Sequence, residues 1–214
     1  MFGNEKFAMK YLLILITLIL SSPVNAHPHA WINMQTTFIG THKNINKIKM
    51  QWQYDPMSSA YNLDGLDTSE AHLSSTLNQL AHQLIKNLLG VHYYTYLYHD
   101  KTPIRYLETD SAHFTYEKNR LTLSFQLTLE KPISLSTTPI TLKIYEPTYY
   151  VDMSWKSSRD IHFSPQLQSH CHADIEQAKP TAEQMMYASS LPADVTPDRP
   201  LGQLFAQTVH LTCL

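Results

Sequence analysis

Between residues 120 and 129 every second side chain is apolar: Leu121, Leu123, Phe125, Leu127 and Leu129. Side chains of a strand point alternately to the two faces of a sheet, so a period of two sustained over this length reads as a half-buried β-strand. The same period recurs along the chain. His29, Trp31, Asn33 and Gln35 alternate with Ala30, Ile32, Met34 and Thr36, and Ile48, Met50, Trp52 and Tyr54 share one face of segment 45–54. A turn rich in Asn and Lys joins these two segments, which predicts an antiparallel pair. Tyr94, Tyr96 and Tyr98 alternate with Thr95, Leu97 and His99. Further strands are expected at 104–107, 111–116, 140–145, 150–155, 161–163 and 170–175, set apart by turns containing Pro, Asn, Asp or Lys.

One stretch follows a different period. Leu73, Leu77, Leu80, Leu84 and Leu88 step by four, three, four and four, the stripe of an amphipathic helix that Gly90 ends. Asp67, with Glu70 three residues on, has capping-box spacing and is expected to be the N-cap. Asp55-Pro56 stops the preceding strand, and a short helical or irregular piece follows. Residues 181–190, bracketed by Pro180 and Pro192, read as a short exposed helix in a surface segment, 178–200. Residues 201–214 read as a helical turn followed by a strand. The expected fold is α+β: mainly antiparallel β-sheet or sandwich, with one long amphipathic helix and no internal repeat.

The first residues read as an address. Lys6 and Lys10 precede an apolar run over 11–20, and Ser21-Ser22-Pro23-Val24-Asn25-Ala26 supplies a helix break and a Val-x-Ala cleavage site. The run is shorter than the roughly 20 residues a membrane span needs. The expected organisation is a signal peptide, 1–26, and a single periplasmic domain, 27–214, which keeps 188 of the 214 residues. Net charge is −2 over the whole chain, and the cut makes it one unit more negative by removing Lys6, Lys10 and Glu5. No basic surface for nucleic acid is implied. In an oxidising compartment Cys171 and Cys213, the two cysteines, most simply form one disulfide. The alternative, a metal cluster at His170-Cys171-His172, is disfavoured because in a strand Cys171 points away from both neighbours.

Cleavage after Ala26 would leave His27-Pro28-His29 at the new terminus. An amino-terminal His offers an amine and a ring nitrogen, and His29, two positions on, reaches the same side of a strand. Pro28 has no amide hydrogen, which closes ligation through a deprotonated amide at that position. Imidazole suits zinc, copper, nickel and cobalt. A further ligand would come from elsewhere, with Asp55, Glu146, Tyr149 or another His as candidates. The competing reading is two exposed histidines on a frayed end. Asn62, Asp64 and Gly65 resemble a depleted calcium loop, but capping explains them better. No nucleophile elbow, zinc-protease pair, phosphate loop or dinucleotide fingerprint occurs, and five glycines leave little room for a nucleotide loop. The chain is therefore not expected to be an enzyme. A copper histidine-brace enzyme is a minor alternative that the terminal His invites.

Together these segments resemble a known family. His-Pro-His-Ala-Trp-Ile, 27–32, is followed by Trp-Gln-Tyr-Asp, 52–55, the loop 62–67, Leu-Lys-Ile-Tyr-Glu-Pro-Thr-Tyr-Tyr-Val, 142–151, then Cys171 and Val-His-Leu-Thr-Cys, 209–213. The pattern is similar to the bacterial family labelled as an uncharacterised ABC-type transport system periplasmic component, which includes the zinc-utilisation protein ZevA. The resemblance implies a periplasmic protein beside a polytopic inner-membrane permease of the nickel/cobalt-transporter type, serving uptake of zinc or a related metal. It supports His27 and His29 as ligands and makes Asp55 and the segment 146–150, with Glu146 and Tyr149, candidates for shaping the site. Members often carry a more acidic, calcium-like loop at the position of 62–67, from which this chain departs. With no two-lobe βαβ pattern, the chain does not read like a clamshell solute-binding protein. The alternative within the resemblance is an extracytoplasmic interaction subunit of the transporter with no bound metal.

Overall fold

The alternating segment 120–129 lies within the long strand β6 (Arg120–Ser134), with Leu121, Leu123, Phe125, Leu127 and Leu129 all buried. In the computed structural model, residues 27–136, 138–192, 195–198 and 200–213 are described; the expected signal peptide lies outside them. β6 pairs antiparallel with β2 (Asn44–Tyr54), which pairs antiparallel with β1 (Ala30–Gly40) in register Phe38↔Ile48 and Met34↔Trp52. Their inward faces are those of the alternation: Ile32, Met34, Phe38, Ile48, Met50 and Trp52 are buried. Gly40 closes the β1–β2 turn because a Cβ there would fall on the carbonyl oxygen of Asn44.

Beyond β1 the sheet changes sense. β8 (Val151–Ser154) and β9 (Ile161–Phe163) both pair with β1 in parallel, and β5 (His113–Glu117) borders β6 at the other edge. A second, antiparallel sheet has the order β10 (Cys171–Glu176), β11 (Thr208–Cys213), β7 (Ile140–Ile144), β3 (Thr95–His99), β4 (Thr102–Pro103). One apolar cluster draws on both sheets, from Ile32 and Phe125 to Leu97, Leu142 and Val209. The α+β expectation holds, with two mostly antiparallel sheets, a few helices and a Cys171–Cys213 disulfide. That bond joins β10 to β11 at directly paired positions, so Cys171 is no thiolate for a metal cluster.

Buried polar groups stitch the layers. Between β8 and β9, Trp155 donates its Nε1–H to Thr36 Oγ1, 3.1 Å, and its backbone N–H to Gln207 Oε1, 2.8 Å, while Gln207 Nε2 returns a bond to the Trp155 carbonyl, 3.1 Å. The amide thus serves both backbone groups of a residue that no strand pairs, as a buried peptide requires.

Of the helices, α1 (Pro56–Leu63) and α2 (Leu73–Leu89) follow β2, and α3 (Ala182–Ser190) and α4 (Leu201–Phe205) precede β11. α2 packs on β5 with Leu77, Ala81, Ile85 and Leu88 innermost, and Leu73, Leu80 and Leu84 flank them. Two expectations need correction. Asp67 is not the α2 N-cap: its carboxylate accepts from Ser69 N–H, 3.0 Å, and meets His72 Nδ1, 3.0 Å, closing a turn that delays the helix to Leu73. The strand expected at 104–107 reduces to one bridge, Tyr106↔Leu129, because the ladder with β3 falls earlier, at Thr102–Pro103.

Candidate functional site

His27 and His29 enter the fold on the parallel edge of β1. The N–H groups of His29 and Ala30 both donate to the carbonyl of Tyr150, 2.9 and 3.3 Å, and the register continues as Ala30↔Val151 and Trp31↔Asp152. This edge lays the Tyr150 ring on His29, centroids 4.8 Å apart and stacked, with His27 edge-on to both: 5.1 Å from His29 and 6.2 Å from Tyr150. His27 is 7% exposed. His27 Nδ1 and His29 Nε2 are both shielded and have no hydrogen-bond partner among the described residues. Burial, then the neighbouring charge of His27, holds the His29 pKa below its usual 6.5, so the ring favours the neutral form.

A cleft of about 360 Å³ opens beside His27, walled by Tyr94, Glu146, Thr148, Tyr150 and residues 195 and 196. Its floor is a tight loop. Glu146, itself buried, accepts from Thr148 N–H (2.8 Å), Thr148 Oγ1 (2.7 Å) and Tyr150 N–H (2.8 Å), so its carboxylate is the knot of the 146–150 turn. The turn is clamped from behind by α4: Gly202 N–H donates to the Pro147 carbonyl, 3.0 Å, and a Cβ on Gly202 would strike the Glu146 carbonyl. Tyr149, at φ 65, turns the other way and stacks on Phe205, centroids 4.1 Å apart, beside the small cluster of Ala188, Leu191 and Leu201. Tyr149 and Tyr150 thus face different surroundings, and it is Tyr150 that meets the histidines.

Asp55 stands in the second rank. Its carboxylate accepts from Trp31 N–H (3.0 Å), Met57 N–H (2.8 Å), Ser58 N–H (3.0 Å) and the Ser58 hydroxyl. Burial acts to raise its pKa, but the hydrogen bonds from Ser58, Trp31 and Met57 together hold it below the usual value. The residue is the N-cap of α1 and the tether of that helix to β1, two positions from His29.

Two residues of the site escaped sequence reasoning. Tyr94 reaches the cleft through a left-handed turn in which His92, Tyr93 and Tyr94 take φ 52, 54 and 51. Such a turn costs about 1–2 kcal/mol per non-glycine residue. Burial of the Tyr93 ring, whose hydroxyl accepts from Thr109 N–H, 3.2 Å, and the bond from Tyr145 N–H to the Tyr94 carbonyl, 3.1 Å, hold it there. Burial first, then the charge of Glu146, pushes the Tyr94 pKa up to about 12. Asp152, paired with Trp31 on the same parallel edge, has its pKa raised by burial, and its charge in turn helps to raise that of Tyr149. The alternation Tyr150-Val151-Asp152 was the signal that could have found it.

Among the described residues, no group of three or more His, Cys, Asp or Glu side chains converges on one point as a ready-made metal site. What the fold assembles is a pair of shielded ring nitrogens beside a cleft of mixed polar and apolar lining. Among the same residues, no helix is long and apolar enough to cross a membrane.

Two similarities relate the chain to known proteins. A family model described as "Protein of unknown function (DUF1007)" matches residues 12–213. A protein of Haemophilus influenzae bearing the name "Uncharacterized protein" is 30% identical over 208 residues, which is 96% of this chain and 100% of that one. With a match over nearly its full length and a relative aligned from end to end, the chain belongs to the DUF1007 family.

Proposed function

We propose that the protein is a periplasmic accessory of transition-metal uptake. It captures zinc, with nickel, cobalt or copper as alternatives, through His27 and His29 and presents it to an inner-membrane permease of the nickel/cobalt-transporter type. The observation that carries this reading is the pair of shielded nitrogens, His27 Nδ1 and His29 Nε2, without a partner among the described residues. A buried polar atom without a partner costs free energy, and a bound ion removes that cost. The lowered His29 pKa favours the neutral ring that ligation requires. Two rings leave coordination positions open for water, for a group from the permease or, once residues 1–26 are removed, for the amine of His27. The disulfide suits an oxidising compartment. The likeness to the family that includes ZevA adds the permease and the direction toward zinc.

A second reading draws on a different observation. Trp31, Met57 and Tyr61 are 49%, 77% and 81% exposed, and Asp55 ties the strand of the first to the helix of the other two. Exposed apolar side chains on two tethered elements fit an interaction subunit that docks the permease and binds no ion. Growth under zinc limitation separates the two. The metal-capture reading expects a His27→Ala/His29→Ala strain to fail as a full deletion does. Growth equal to the parent strain would sink it and favour docking alone.

A further inference from the structure

A second pair of histidines meets at the opposite end of β1, and nothing in the reading above uses it. His42 sits in the β1–β2 turn and His170 immediately precedes Cys171, 128 positions apart in sequence. His42 Nδ1 lies 3.4 Å from His170 Nε2, with the rings edge-on and their centroids 5.5 Å apart. In the metal-free protein one ring N–H can donate to the other ring across that separation, a long hydrogen bond that an ion would replace. The same separation equals the spacing of two ligands on one tetrahedral ion: zinc–imidazole bonds of about 2.0–2.1 Å place the two nitrogens about 3.3–3.4 Å apart.

Both rings stand on braced backbone. The turn bearing His42 is closed by Thr41 N–H to the Asn44 carbonyl, 2.8 Å, and by the close approach that only Gly40 permits. Leu135 N–H binds the Lys43 carbonyl, 2.9 Å, from the far side of the turn. His170 N–H binds the carbonyl of fully buried Leu167, 2.9 Å, and the next residue is fixed by the disulfide. The backbone that carries both rings is therefore fixed before any ligand arrives. His42 is exposed and His170 half-buried, so the remaining positions on an ion would be filled by water.

We propose that His42 and His170 form a second, surface site for a divalent transition ion of the imidazole-preferring class, Zn²⁺ or Cu²⁺. Water in the open positions makes it an exchangeable site, distinct from the shielded one at His27 and His29. The ion also clips the β1–β2 turn to the start of β10.

The test uses Cu²⁺ as the probe, on protein carrying His27→Ala and His29→Ala, so that failure of the first site cannot mask the second. Electron paramagnetic resonance of one bound Cu²⁺ should show two coordinated imidazole nitrogens. Adding His42→Ala or His170→Ala should reduce that number and weaken binding on the order of 10²-fold, the loss expected when a chelating pair becomes a single ligand. Adding His82→Ala, an exposed helical histidine, should change neither readout. Absence of a two-nitrogen Cu²⁺ signal in the starting protein, or unchanged affinity after His42→Ala, would overturn the proposal. His42, His82 and His170 are exposed or half-buried and outside the hydrophobic core, and metal-free melting temperatures of the added variants should match that of the His27→Ala/His29→Ala starting protein.

Discussion

His29 carries the proton chemistry of the site. Its pKa is lowered in the folded state by burial and by His27, so the folded protein binds this proton more weakly than the unfolded chain. Stability from this residue is complete above the ordinary value of 6.5 and is lost as pH falls below it toward the folded value. In metal-free protein, the melting temperature should fall over that window, and His29→Ala should reduce the slope. An unchanged slope would show that the residue does not titrate as described. Metal binding should weaken in the same direction, because protons compete for the ring nitrogens. The two histidines were legible as residues, but the strand expected to put them on one face begins only at Ala30, and it is the Tyr150 ring that both of them meet. Their neighbours were legible only in part. Tyr94 depends on a left-handed turn of bulky residues that no propensity anticipates, and His42 meets His170 across 128 positions.

At the scale of elements, the site is a parallel edge clamped by a short helix. Alternation exposes a strand and its buried face, and nearly every strand expected is present. It does not name the neighbour, and so the parallel pairing of β1 with β8 and β9, which brings Tyr150 to His29, was not readable. The capping expectation at Asp67 failed for a local reason, since that carboxylate closes the preceding turn with Ser69 and His72. The cap that does form, at Asp55, leaves its carboxylate committed to Trp31, Met57 and Ser58. The clamp offers a mutation distant from the histidines. Gly202→Ala would push a methyl group into the Glu146 carbonyl, costing roughly 1–3 kcal/mol as overpacking does. Denaturant unfolding should show that loss, and zinc affinity should drop with the displaced 146–150 loop. Full stability in Gly202→Ala would mean that α4 does not clamp the turn.

For the whole molecule, the disulfide closes the largest covalent constraint, with its cysteines 42 positions apart in a two-sheet body. Loop closure of this length contributes about 4 kcal/mol to stability. The Cys171→Ser/Cys213→Ser protein should unfold at correspondingly lower denaturant. Equal midpoints for the two proteins would contradict that contribution. The bond lies on the sheet opposite the His27 edge, so zinc capture should survive in the variant while it remains folded. The central claim, that the protein captures metal at its first two histidines, meets its most direct test in untagged protein recovered from the periplasm. Intact mass locates the first residue, and a zinc titration against a competing chelator is run beside His27→Ala/His29→Ala. The expected result is a chain beginning at His27 and one tight zinc site that the double variant loses. A chain with another start, or equal weak binding by both proteins, would contradict it.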